Sequence, residues 1–205
     1  MNIEINTKTT KRETVLSGCF FKLPEQQHAN LTTKTITRVR KFFNKETPHR
    51  PSEEMCQALE DIALTLEKMV DGEADNKIYL SSLAPGIGKT QTICFFLNLL
   101  LKDEQYRDQG ILIGLSTYDE IESYIERMGV DKSNMAILTS DKKLNGLGNS
   151  NQNEAQVLFT TQQRMDIKLK QYENFSKAHE FYYKGKPRQI RIWDESFLPG
   201  KPITT

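Results

Sequence analysis

Gly86, Gly88, Lys89 and Thr90 stand close together in Leu83-Ala84-Pro85-Gly86-Ile87-Gly88-Lys89-Thr90, and their types and spacing suit one chemistry. Glycines permit backbone angles that turn successive N–H groups inward, a lysine ammonium reaches terminal phosphates, and a threonine hydroxyl at a helix start meets a magnesium ion. Such a set asks for a nucleoside triphosphate. Pro85, Gly86, Ile87, Gly88, Lys89 and Thr90 are therefore the candidate phosphate-binding residues. Leu83 departs from the usual pattern, which has glycine six residues before the lysine. A Gly/Pro turn ahead of a core helix would explain the glycines but not the Lys-Thr that follows them.

A second acidic group lies far downstream. Gln189-Ile190-Arg191-Ile192-Trp193-Asp194-Glu195-Ser196 reads as a short strand ending in two carboxylates. Asp194 suits the water shell of the magnesium that Thr90 touches, and Glu195 suits polarising a water that attacks the γ-phosphate. Lys89 and Glu195 are thus the candidate catalytic residues, Thr90 and Asp194 the candidate metal residues, and ATP with magnesium the expected cofactors. The competing reading of the pair is a solvated acidic turn. Gln57 could pair both polar edges of an adenine, although an exposed helical glutamine is the more frequent case.

These groups need elements to hold them. Lys77-Ile78-Tyr79-Leu80 reads as a strand leading into the glycine loop, and Thr92 to Leu101 as the helix leaving it. Before them, Met55, Leu59, Ile62, Leu66 and Met69 recur at three and four, which predicts a helix over Ser52 to Val70 with Ser52 as its N-cap and Gly72 at its end. Thr33 to Phe43 is a possible basic helix. Downstream, Ile111 to Leu115, Met135 to Leu138, Val157 to Thr160 and Gln189 to Trp193 read as strands, Tyr118 to Met128 as a helix, and Asp141 to Glu154 as a flexible loop. Lys184-Gly185-Lys186-Pro187-Arg188 is a turn between strands or a lead-in to the acidic strand. Strands alternating with helices predict a mainly parallel α/β sheet flanked by helices. Ligands of such sheets gather at the strands' C-terminal ends. Ser116 and Thr117 are accordingly candidates for a surface over which nucleic acid passes, and equally good candidates for helix caps.

Composition sets few limits. The 205 residues suffice for one sizeable core, and 28 basic against 27 acidic residues give a formal net charge of +1, which selects no partner. Basic residues do crowd the stretch from Arg164 to Arg191, where they suit a phosphate backbone or a solvated face. Cys19, Cys56 and Cys94 form neither a zinc pattern nor a disulfide framework, His28, His49 and His179 are too scattered for a metal cluster, and a reducing cytoplasm is expected. No secretion signal opens the chain, and the apolar run Ile93 to Leu101 is too short to span a membrane.

Taken together, Leu83 to Thr90, Val157-Leu158-Phe159-Thr160-Thr161-Gln162-Gln163-Arg164 and Ile192-Trp193-Asp194-Glu195-Ser196 resemble the first RecA-like domain of superfamily 1 and 2 helicases. The resemblance implies a P-loop NTPase fold, an ATP hydrolase coupled to translocation or unwinding, and DNA or RNA as partner. It assigns nucleic-acid contacts to Thr160, Thr161 and Arg164. Arg191 interrupts the apolar strand that the family has before its aspartate. Such enzymes close ATP against a second RecA-like domain, and this chain ends ten residues beyond Glu195. The expectation is therefore an arm or accessory segment over 1–50 and a RecA-like domain over 51–205, the first half of a longer motor or one completed by a protein partner, with weak or no hydrolysis alone. The rival from another class is a nucleotide-gated binding or assembly module without unwinding activity. A small-metabolite kinase would also use the loop, but no acceptor pocket or lid arginines can be placed for it.

Overall fold

The computed structural model describes residues 30–46, 51–172 and 175–194. Glu195, like Cys19, His28 and His49, lies outside the described residues. The chain divides into Met1–Asn30 and a compact unit from Leu31 onward, which holds the described elements.

Among the described residues, three α-helices precede the first strand of the sheet. The basic helix α1 (Leu31–Glu46) buries Ile36, Val39 and Phe43 and belongs to the compact unit. Helix α2 (Glu53–Asp71) follows its apolar spacing: Ser52 accepts from the Met55 amide at one end, and left-handed Gly72 closes the other. The third, α3 (Lys89–Leu100), leaves the glycine loop and buries Cys94, Phe96, Leu97 and Leu100.

Strand β1 (Ile111–Leu115) is buried throughout. It is followed by α4 (Tyr118–Met128), β2 (Met135–Leu138), the single turn α5 (Lys142–Asn145), β3 (Val157–Thr161) and α6 (Gln162–Tyr172). A two-stranded ribbon, β4 (Tyr182–Tyr183) and β5 (Lys186–Pro187), then leads to β6 (Ile190–Trp193). The four long strands form a parallel sheet in the order β2-β3-β1-β6, and the ribbon is a separate antiparallel pair. Lys184 and Gly185 both have positive φ, 48° and 76°, the geometry of a two-residue hairpin turn. The lead-in to the acidic strand is thus a hairpin.

Alternate strand residues face opposite layers. Ile111, Ile113, Leu115, Ile137, Val157, Phe159, Ile190 and Ile192 meet α2, α3 and α4 on one face. Leu112, Ala136 and Leu158 meet Met165 of α6 and Phe181 on the other. Gly114 belongs to the second face, where a Cβ would lie 2.3 Å from Met165 Cε and 3.4 Å from Trp193 Cδ1. Arg191 is exposed on that outer side, in the alternating pattern that leaves Ile190 and Ile192 inside. The connection from β1 runs toward β2, and that from β3 runs to β6 on the opposite side of β1. The strands' C-terminal ends near the middle of the sheet are therefore where a ligand of such a sheet would sit.

Two expectations about elements change. Lys77 to Leu80 is not a strand: Ile78 and Leu80 are 85% and 90% exposed. Local contacts hold the segment instead, with the Asp75 amide donating to Tyr79 Oη at 3.0 Å and Lys77 paired to Asp75 at 2.7 Å. The loop after Thr139 is structured. Asp141 caps α5 through the Lys143 and Leu144 amides, Thr139 Oγ1 donates to Asn145 Oδ1 at 2.8 Å, and the Asn149 amide reaches the Met135 carbonyl.

Candidate functional site

Two left-handed glycines shape the loop. Gly86 has φ 79° and Gly88 φ 105°, a region that side chains rarely enter, and Gly88 serves as the N-cap of α3. A Cβ on Gly88 would also lie 2.7 Å from the ring of Phe43, so α1 packs directly against the loop. Leu83 and Ile87 join the apolar cluster of Ile36, Val39, Phe43 and Leu59. This accounts physically for Leu83 where the usual pattern has glycine: its side chain helps anchor the loop to α1 and α2. Pro85 and Gly86 are exposed, and Lys89 and Thr90 are half-buried at the start of α3. Lys89 Nζ curls back onto the loop, donating to the Leu83 and Ala84 carbonyls at 2.6 and 3.0 Å.

The acidic strand reaches this loop. Thr90 Oγ1 donates to Oδ2 of Asp194 at 2.7 Å, and Tyr124 Oη of α4 donates to the same oxygen at 2.5 Å. The Asp194 backbone is engaged as well, its carbonyl accepting from Gln162 Nε2 at 3.4 Å. Asp194 is buried, and a cleft of about 150 Å³ opens beside it, lined by Thr90, Leu115, Tyr124 and Arg127 among others. Burial, reinforced by the Asp194 charge and the hydrogen bond to it, pushes the Tyr124 phenol well above its usual pKa. The same surroundings raise the Cys94 thiol to about 12, chiefly by burial, so it is no nucleophile.

One hydroxyl and one carboxylate make a sparse ligand set. Among the described residues no group of three or more His, Cys, Asp or Glu could ligate a metal. A small hard cation that keeps most of its waters and takes the rest of its shell from phosphate oxygens needs no more than Thr90 and Asp194 supply. The pair fits magnesium and would not make a zinc or calcium cage.

The remaining candidates are more dispersed. Gln57 is exposed near the start of α2. Ser116 and Thr117 are exposed beyond β1, where Thr117 caps α4 in a capping box with Glu120, and Glu120 also accepts from the Ser116 amide. Thr161 Oγ1 accepts from the Arg164 amide at the start of α6. Thr160, expected at the nucleic-acid surface, is instead 0% exposed, and its hydroxyl donates to the Leu138 carbonyl at 2.7 Å, so it offers no surface to a nucleic acid. The basic run is also less open than its sequence suggests. Lys168 pairs with Glu180, Lys170 with Asp166 and Lys184 with Asp108, while Arg188 is interior. Tyr124 was missed in the sequence, where it is simply one member of the apolar stripe of α4. The signal was a tyrosine in a fully buried position, because a buried phenol requires a partner.

No helix among the described residues is long and apolar enough to cross a membrane. No protein-family model, curated protein or solved structure matches the chain.

Proposed function

We propose that this chain carries the nucleotide site of a RecA-like ATP hydrolase of helicase type, in which magnesium-ATP hydrolysis drives movement on nucleic acid. The observation that carries the reading is the hydrogen bond between Thr90 and Asp194. These residues are 104 positions apart, in separate stretches of the sequence, and they meet at 2.7 Å beside a glycine loop. A solvated acidic turn and an ordinary Gly/Pro turn would have no reason to meet.

In this reading the backbone N–H groups of Gly86 to Thr90 face the phosphates at the N-terminus of α3. Lys89 neutralises the β- and γ-phosphates; its ammonium has three donors, two of which now hold loop carbonyls. Thr90 and Asp194 hold magnesium, which when bound offsets charge on the phosphates during transfer. Glu195, next in sequence, orients the attacking water. A facing RecA-like domain, from a longer chain or a partner, contributes the arginine that this class of reaction uses.

Isothermal titration calorimetry with magnesium-ATP tests the site. K89A should stay folded, with an unchanged thermal midpoint, and lose more than about thirtyfold in affinity, the worth of a charge-assisted hydrogen bond to phosphate. Wild-type affinity in folded K89A would sink the assignment.

A further inference from the structure

Tyr124 lies in the buried stripe of α4, 2% exposed, with its ring tilted against Phe159 of β3 at 6.2 Å between centroids. A phenylalanine would fill that space equally well, so packing does not account for the hydroxyl. The hydroxyl is aimed at the acid. It and Thr90 Oγ1 converge on Oδ2 of Asp194 from two different helices, at 2.5 and 2.7 Å. The terminal torsion of an aspartate is broad and only loosely two-fold, so the plane of its carboxylate is set by its donors. Two donors on one oxygen fix that plane more firmly than one. Thr90, having given its single proton to Asp194, keeps lone pairs for a cation.

We propose that Tyr124 is a positioning residue for the metal site: its hydroxyl holds the Asp194 carboxylate in the orientation in which Asp194 and Thr90 together receive magnesium. This role rests on the phosphate-loop reading above. Tyr124 enters this role through its hydrogen bond to Asp194. Its removal should therefore act on the magnesium-dependent part of binding and leave the rest alone.

The test is a titration of the full chain and of Y124F with a fluorescent ATP analogue, in magnesium and again in EDTA, with thermal midpoints measured alongside. Wild type should bind more tightly in magnesium. Y124F should forfeit about tenfold of that gain, as expected for one hydrogen bond to a charged group, with unchanged affinity in EDTA. Free manganese counted by electron paramagnetic resonance, with the metal titrated in the presence of ATP, should show the same loss without any fluorescent group. An unchanged ratio of magnesium to EDTA affinities in folded Y124F overturns the positioning role. Equal weakening under both conditions overturns it too, as does a Y124F chain that unfolds, since either makes the hydroxyl a matter of stability. A wild-type chain that binds no nucleotide under either condition overturns the phosphate-loop reading, and the Tyr124 role falls with it.

Discussion

Arg188 shows how far the role of a single residue can differ from its neighbourhood in sequence. It stands in a run of lysines and arginines that suits a phosphate backbone, yet its side chain is 0% exposed. Its guanidinium donates to the carbonyls of Ile111, Gln152, Ala155, Gln156 and Tyr182 at 2.7–3.3 Å, and lies 5.4 Å from the centre of the Tyr183 ring. Burial lowers its pKa to about 9, which still leaves it charged at neutral pH. The fork thus ties the ribbon to the N-terminal ends of β1 and β3, opposite the end where Asp194 sits. Methionine at this position would keep the stem and strand several carbonyls without donors. Each buried group left unpaired costs about 1–3 kcal/mol, so R188M should lose at least about 3 kcal/mol in urea denaturation. A loss under about 0.5 kcal/mol would show that water replaces the guanidinium and that the tie is dispensable.

Among the elements, α1 has the largest unexpected part. Glu67 of α2 reaches its N-terminus, accepting from the Leu31 amide at 2.8 Å, the Thr32 amide at 3.3 Å and the Thr32 hydroxyl at 2.5 Å. A carboxylate there satisfies otherwise unpaired donors and opposes the helix dipole. At the other end of the same helix, Phe43 lies against Gly88. E67A should therefore destabilise the chain by about 1–3 kcal/mol and speed amide exchange in α1 before the sheet. It should also weaken nucleotide binding through the loosened loop, whereas E67Q, which keeps an acceptor, should recover part of both. Exchange in α1 that matches wild type in E67A would remove the cap from the account. The sequence made some elements legible because local signals suffice for them. Ser52 and Gly72 mark the ends of α2, and the apolar runs of β1 and β3 mark buried strands. It could not show that Asn98, which interrupts the apolar run of α3, accepts from Arg38 of α1 and donates to the Met128 carbonyl, because that depends on three helices meeting. Nor could it show that Asp75 and Tyr79 close a local turn in place of a strand. The site was legible as two halves; their meeting, and Tyr124 between them, depended on the order of strands in the sheet.

For the whole molecule, the distribution of charge bears on the proposed nucleic-acid track. Of the eight basic residues counted from Arg164 to Arg191 in the sequence, Lys168, Lys170 and Lys184 are paired to carboxylates and Arg188 is interior. The exposed pairs of Lys170 and Lys184 are weak and can be exchanged, but a lysine that leaves a carboxylate for a phosphate gains less than one that leaves water. Arg164 keeps its place beside Thr161, at the C-terminal end of β3, where Ser116 and Thr117 also emerge from β1. A single-stranded oligonucleotide lying across these ends should therefore engage few cations. Affinity falls with salt roughly in proportion to the phosphates neutralised, so a plot of log affinity against log salt should have a slope of only about −1 to −2. R164A should flatten it by about one and weaken binding alike for different sequences, because a phosphate contact carries no base information. Fluorescence anisotropy between about 20 and 200 mM salt, with and without magnesium-ATP, measures both quantities. Absence of binding at the lowest salt, in a chain that still binds nucleotide, would reject the nucleic-acid track and favour a nucleotide-gated assembly module. A slope steeper than about −4 would mean that the paired lysines open toward the strand, and that the carboxylates now holding them weaken binding. Substituting Asp166 or Glu180 by the amide should then tighten it.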